Sequence, residues 1–320
     1  MRTRRVGRSA LEVSALGLGT LGWGVDVQPP DARALLRTFA DAGGTLIDTA
    51  PTYGDGMAER MIGTLLRHDV PRDDVVLATK GGLRDDAGTP VVDTSHEALL
   101  RDLAGSLRRL GTDHVDLWQL HAWGEAPLQE ALAALDRAVT SGMARYAGVC
   151  NYLGWQIGTA AAWQDAAGRP GTLVSGQNEY SLLARRAETE VLPALAWHGL
   201  GFFAWSPLGR GVLAGTYVRG APAGSRGASE HLGWFVRPYL DERSRAVVDA
   251  LVVAADGLGL TPAQVALLWV RDAPGVTAPL LGARTPLQLA PLLAVDDDAL
   301  PDEITAALDD ITGGPNTLRG

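Results

Sequence analysis

Strand-length runs of apolar and β-branched residues alternate along the chain with Ala-, Leu- and Arg-rich segments of helical period. The pattern predicts strands at 16–20, 45–49, 75–80, 114–121, 145–151, 172–178, 201–206 and 276–281. It predicts helices at 31–42, 57–68, 95–110, 128–141, 155–167, 187–199 and 262–272. The segment at 95–110 shows the logic. Leu99, Leu100, Leu103, Leu107 and Leu110 recur at three- and four-residue spacing, while Arg101, Asp102, Arg108 and Arg109 take the other face. Thr94 or Ser95 is placed to cap its start and Gly111 to close its end. The first 14 residues, with Gly7-Arg8-Ser9 between short β-like pieces, read as a hairpin.

Eight alternations joined by right-handed crossovers close most simply into an α/β architecture, a (β/α)8 TIM barrel with an N-terminal β-hairpin. An open doubly wound sheet is the rival. It needs a G-x-G-x-x-G turn that leads into a helix, and Gly17-Leu18-Gly19-Thr20-Leu21-Gly22 has the letters. The next helix begins only near Asp31, however, and no acidic residue ends a second strand about 20 residues on. The barrel is therefore expected as one domain over 1–320, with residues 209–240 as a long irregular loop over its mouth.

Composition narrows the chemistry. The 28 Lys plus Arg against 37 Asp plus Glu leave a formal charge of −9, which argues against nucleic acid as a partner. A lone Cys150 excludes an intramolecular disulfide and a zinc site built from cysteines. The basic start (Arg2, Arg4, Arg5, Arg8) is not followed by the apolar run of a signal peptide, and no stretch approaches the ~18–20 apolar residues of a membrane helix. A cytoplasmic protein with no membrane partner is expected; homo-oligomerisation is left open. Of the 28 cations 27 are arginine, and Lys80 is the single lysine. In an Ala-, Arg- and Gly-rich chain of GC-rich stamp, a surviving lysine marks a place where a guanidinium is too large or holds its proton too firmly.

In a barrel of this kind the chemistry sits at the C-terminal ends of the strands. The polar residues there are Asp48, Lys80, His121, Asn151, Gln177 and Ser206, after strands two to seven in turn. Any one of them has a structural reading as a satisfied core group or a helix cap; six in phase do not. Tyr53 follows Asp48 by five residues of turn, close enough to fold back over the mouth. None of His68, His96, His114, His198 and His231 has metal-ligand spacing with another, and no metal is expected.

These motifs resemble the aldo-keto reductases over nearly the whole chain. The resemblance is carried by LGLGT (16–20), DTAPTYGDGMAER (48–60), ATKGG (78–82), HVDLWQLH (114–121), GVCN (148–151), QNEYS (177–181), WSPLGRG (205–211) and LLGARTPLQL (280–289). It is closest in pattern to the bacterial and potassium-channel β-subunit-like branch. It implies an NADPH-dependent oxidoreductase that reduces an aldehyde or ketone with Asp48, Tyr53, Lys80 and His121 as catalytic residues. The physical reading agrees. Carbonyl reduction needs a hydride donor and an acid for the developing alkoxide. A buried ammonium at Lys80 eases loss of the Tyr53 proton, Asp48 keeps that ammonium charged and oriented, and a neutral His121 hydrogen-bonds the substrate oxygen.

The resemblance further implies NADPH/NADP+ bound in extended form without a dinucleotide-binding domain. Asn151 and Gln177 would hold the carboxamide and Trp205 would stack under the nicotinamide. Thr20 and the run Ser206, Pro207, Leu208, Gly209, Arg210 and Gly211 would contact the cofactor, Arg210 and the backbone amides taking the pyrophosphate. Gly282, Arg284 and Gln288 match the segment that holds the adenosine 2′-phosphate, with Arg284 forked onto it. Two positions depart from the pattern. Cys150 replaces the usual serine, and Pro291-Leu292 replaces an acidic-Asn pair, which weakens adenine contacts. Trp23, Trp123 and Trp234, with Phe235 and Tyr239, are expected to form an aromatic wall suited to an uncharged small-molecule carbonyl, such as a natural-product ketone. Two other readings are weighed. An NADPH-binding regulatory or ring-forming subunit with little turnover would keep the cofactor residues. A Schiff-base aldolase would use Lys80 as nucleophile but leaves Tyr53, Trp205 and Arg284 without a role.

Overall fold

The computed structural model describes residues 1–86, 88–169, 172–217, 226–228 and 233–313. In chain order they form β1 (Thr3–Arg5), β2 (Glu12–Ser14), β3 (Gly17–Gly19), α1 (Pro29–Asp41), β4 (Leu46–Asp48), α2 (Met57–His68) and β5 (Val76–Gly81). There follow β6 (Leu83–Asp86), β7 (Thr89–Val92), α3 (His96–Leu110), β8 (Val115–Leu120), α4 (Leu128–Thr140), β9 (Ala144–Cys150), α5 (Gly154–Ala166) and β10 (Leu173–Glu179). The remainder comprises α6 (Val191–His198), β11 (Gly201–Trp205), α7 (Gly233–Val236), α8 (Glu242–Leu258), α9 (Pro262–Arg271), β12 (Val276–Leu281), α10 (Pro286–Leu293) and α11 (Asp302–Thr312).

Strands β3, β4, β5, β8, β9, β10, β11 and β12 pair in parallel and close on themselves as a (β/α)8 barrel. All eight coincide with the runs that the sequence pattern predicts. The open-sheet rival is thereby excluded, and Gly17–Gly19 is simply the first barrel strand. The hairpin is also present: β1 and β2 pair antiparallel with Thr3 opposite Ser14. Its Val6, Leu11 and Val13 join the inward-facing Leu46, Ala78, Leu117, Val174, Phe203, Ala278 and Leu280 in one buried cluster. The backbone comes so close there that a side chain on Gly7 would begin 2.3 Å from the Gly199 carbonyl oxygen, beside the start of β11. The hairpin thus plugs the end where the strands begin, which leaves the opposite end open for chemistry.

Outside the strands, α3 buries Leu99, Leu103, Leu107 and Leu110, each contributing about 1.5–3 kcal/mol by leaving water. Gly111 closes this helix in the left-handed region at φ 68°. Ser95 occupies the N-cap position but makes no capping bond; its hydroxyl donates to Asp93 Oδ1 at 2.7 Å. Outside the predicted pattern lie the β6–β7 hairpin after the third barrel strand, the short α7, and helices α8, α10 and α11. The stretch 209–240 is not uniformly irregular. Gly209–Ala214 and Arg237–Tyr239 form 3-10 turns that flank α7, whereas 218–225 and 229–232, with His231, lie outside the described residues.

Candidate active site

The barrel rim brings together the polar residues that end its strands. Asp48 is the last residue of β4, and both it and Lys80 of β5 are buried. Lys80 Nζ donates to Asp48 Oδ2 at 2.7 Å, to the Thr49 carbonyl at 3.0 Å and to Tyr53 Oη at 3.3 Å. All three ammonium protons therefore have acceptors. Tyr53 reaches Lys80 because Thr49 to Gly56 turn tightly, with the Tyr53 amide bonded to the Ala50 carbonyl at 3.1 Å. The other carboxylate oxygen of Asp48 accepts from Gln177 Nε2 at 2.8 Å, and Cys150 Sγ lies 3.6 Å from Gln177 Oε1. Cys150, Gln177, Asp48, Lys80 and Tyr53 thus form one chain of contacts from the barrel interior to the mouth.

His121 follows β8 directly, its amide bonded to the Gly81 carbonyl at 2.9 Å, and its ring stands edge-on to Tyr53 at 6.1 Å. Asn151, in the left-handed region at φ 60°, donates through Nδ2 to the His121 carbonyl at 3.1 Å and accepts from Trp205 Nε1 at 3.1 Å. Ser206 and Arg210 are also left-handed, at φ 54° and 59°. Such conformations cost of order 1–3 kcal/mol each and gather where a site needs them.

The electrostatics follow from burial and one fixed cation. Burial pushes the Tyr53 phenol up to about 12, against the pull of Lys80 in the other direction. The expected easing of its proton is thus present but outweighed, and the phenol holds its proton at neutral pH. Burial also opposes the Lys80 charge, yet Asp48 and Tyr53 more than compensate and hold the ammonium above the ordinary lysine value. Burial drives the Cys150 thiol up to about 12, so it stays a thiol. His121 is driven down to about 3, first by burial and then by Lys80, and is neutral as expected. This has a consequence for stability. The unfolded chain protonates His121 near 6.5 and the fold only near 3, so stability falls as pH drops through that window. Urea midpoints of the wild type are expected to fall more steeply there than those of His121→Gln, which has no proton to gain; parallel curves would refute it.

A cavity of about 670 Å3 opens over this rim and lies within the range of about 300–1,000 Å3 in which ligand pockets fall. Its wall includes Thr20, Asp48, Tyr53, His121, Asn151, Gln177, Trp205, Ser206, Pro207, Leu208, Arg210 and Gly211, and continues to Gly282, Arg284 and Gln288. Gly209 is buried and does not line it. Cys150, Pro291 and Leu292 do, the last two as an apolar wall. Of the three predicted pocket tryptophans, Trp23 and Trp234 line the cavity. Trp123 does not; it is turned onto Tyr152 and Trp155, with ring centroids at 5.2 and 5.3 Å. Sequence reasoning missed Asp26, Thr52, Leu83 and Tyr217 on the wall.

Two arginines sit differently from expectation. Arg210 is forked by Glu179, at 2.8 Å from Nε and 2.7 Å from the terminal nitrogen, and donates to the Phe235 carbonyl at 2.6 Å. Its guanidinium lies 3.8 Å from the Phe235 ring centroid, so it fastens α7 to the rim with its charge already balanced. Arg284 lies 3.6 Å from Asp26, and its amide donates to Gln288 Oε1 at 2.9 Å. Among the described residues no cluster of His, Cys, Asp and Glu is placed to hold a metal ion, and no single helix is long and apolar enough to cross a membrane.

Comparison with known proteins agrees with this arrangement. The model of the aldo/keto reductase family matches residues 15–312. An uncharacterized oxidoreductase of Bacillus subtilis strain 168, YrpG, is 38% identical over 320 residues, covering 97% of this chain and 95% of its own. A probable voltage-gated potassium channel subunit beta of Oryza sativa subsp. japonica is 35% identical, covering 88% and 87%. The protein tas of Escherichia coli K12 is 34% identical, covering 90% and 91%.

Proposed function

The chain belongs to the aldo/keto reductase family of oxidoreductases, and on that premise we propose that it reduces an aldehyde or ketone to the alcohol with NADPH, Tyr53 supplying the proton. One observation carries the reading: the buried Asp48–Lys80 pair ends in the Tyr53 hydroxyl on the wall of a cavity that runs on to Arg284. Tyr53 keeps its proton at neutral pH and gives it to the substrate oxygen as negative charge develops there. Lys80 then steadies the phenolate left behind. His121, neutral and next to Tyr53, donates a hydrogen bond to the same oxygen and fixes the carbonyl in place.

The residues fit the cofactor. The wall has polar side chains at one end, a concave left-handed backbone at Ser206 and Arg210, and a cation at the other end. Asn151, Gln177 and Trp205 would hold the nicotinamide end, and Gly282, Arg284 and Gln288 the adenosine phosphate. Since Glu179 already balances Arg210, the backbone N–H groups of Leu208 and Arg210 would carry the pyrophosphate contact, those of Gly209 and Gly211 already donating to the Ser206 and Leu208 carbonyls. NADPH, when bound, supplies the hydride. Trp23, Tyr217, Trp234 and Phe235 form an apolar wall that favours an uncharged carbonyl substrate. The same reading takes residues 1–320 as one domain acting in the cytoplasm.

The test is NADPH oxidation across diverse aldehydes and ketones, with Tyr53→Phe as blank. The reading fails if no carbonyl gives consumption that the blank lacks. Saturable NADPH binding without turnover would instead favour a regulatory or ring-forming subunit, the reading suggested by the likeness to a channel β subunit. Arg284→Ala is expected to lower the NADPH-over-NADH ratio in kcat/KM by on the order of tenfold, the loss of one charge-assisted contact. An unchanged ratio would remove Arg284 from the phosphate site.

A further inference from the structure

A second buried charge lies behind the Tyr53–Lys80 pair, and the proposed chemistry does not use it. Neighbouring side chains on a strand point to opposite faces, so while Lys80 enters the barrel, Thr79 leaves it toward α2. There Glu59, fully buried in the first turn of α2, accepts from Thr79 Oγ1 at 2.7 Å and from Arg109 Nε at 2.6 Å. Arg109 comes from the last turn of α3 and also donates to Ser106 Oγ at 3.2 Å. Gly56, at φ 76°, leaves it room: a side chain there would begin 2.7 Å from Arg109 Cδ. The same turn of α2 hangs on Tyr53, since the Ala58 amide donates to the Tyr53 carbonyl at 3.3 Å.

We propose that Glu59 is a positioning residue for the Tyr53 proton donor, pinning the turn that carries Tyr53 to the strand that carries Lys80. The links close a ring. Tyr53 is bonded through its carbonyl to α2, α2 through Glu59 to Thr79, and Thr79 by the chain to Lys80, whose ammonium meets the Tyr53 hydroxyl. That last contact, at 3.3 Å, is the longest of the three that Lys80 makes, and the ring sets its length. The groups that face Tyr53 are Lys80 of β5, Asp48 of β4, His121 after β8 and Cys150 of β9; Arg109 and Thr79 face Glu59. The proposal rests on the reductase reading.

Thr79→Val removes the hydroxyl at nearly constant volume. With NADPH and a carbonyl turned over by the wild type, it is expected to lower kcat on the order of tenfold, as misplacement of a reacting group does. KM for both substrates should stay within about twofold, and the solvent deuterium isotope effect on kcat should rise as proton transfer becomes more limiting. Thr79→Ser should restore both. Wild-type kcat in Thr79→Val, or a loss with an unchanged isotope effect, would overturn the proposal. Glu59→Leu is the second variant, which removes the acceptor for Thr79 and so opens the ring. A lower kcat with KM held supports the assignment, and wild-type kcat refutes it. Failure of the reductase reading looks different: the wild type itself would not exceed the Tyr53→Phe blank, which overturns both.

Discussion

Tyr53→Phe is expected to cut carbonyl-dependent NADPH oxidation by about 10²–10⁴-fold, the contribution of a positioned general acid, while NADPH still binds. The substitution removes one oxygen. Its hydrogen bond from Lys80 is lost, but Asp48 Oδ2 and the Thr49 carbonyl still hold the ammonium, so the buried pair survives. The ring keeps its edge contact with His121. Cavity shape and folding stability should therefore change little, and the loss should fall on kcat. Tryptophan fluorescence with NADPH gives the affinity, since Trp205 and Trp234 line the cavity. Turnover within tenfold of the wild type would show that another group supplies the proton. Loss of NADPH binding would show instead that Tyr53 holds the cavity together.

Much of this could be read from sequence, for a reason visible in particular residues. Each barrel strand is a short apolar run that ends in one polar residue, and the parallel register puts those ends on a single rim. Asp48, Lys80, His121, Asn151, Gln177 and Ser206 were legible because one-dimensional phase becomes three-dimensional proximity in this topology. What was not legible depends on side-chain direction or on contacts distant in sequence. Arg210 reads as a phosphate ligand until Glu179, 31 residues away, is seen to fork it. Trp123 stands two residues after His121 but finds its partners on Tyr152 and Trp155. Helix α8 escaped because Val252 and Val253, both exposed, blur the buried stripe of Val247, Val248, Leu251 and Ala255. Glu59 lies within the motif at 48–60, yet nothing linear joins it to Thr79.

Lys80→Met is the substitution that should damage both the fold and the activity. It leaves the buried Asp48 carboxylate with Gln177 as its remaining partner among the contacts described, and breaking a buried pair from one side costs about 3–5 kcal/mol. Urea unfolding should record that loss. Activity should fall further than stability accounts for, because Tyr53 loses the only cation bonded to its hydroxyl among the described residues. Lys80→Arg should fail for a different reason. The lysine side chain has no exposed surface and its three donors point at three separate acceptors, an arrangement that a planar fork cannot reproduce. The two causes separate in the double variant Lys80→Met with Asp48→Asn, which removes both charges. Much of the lost stability should return there, while carbonyl reduction should stay at the level of the single variant. If activity returned with stability, the ion pair would be structural and Tyr53 would not depend on it. Every other Lys or Arg position in the chain is arginine, and recovery of stability without recovery of activity would tie this single lysine to the proton donor rather than to the fold.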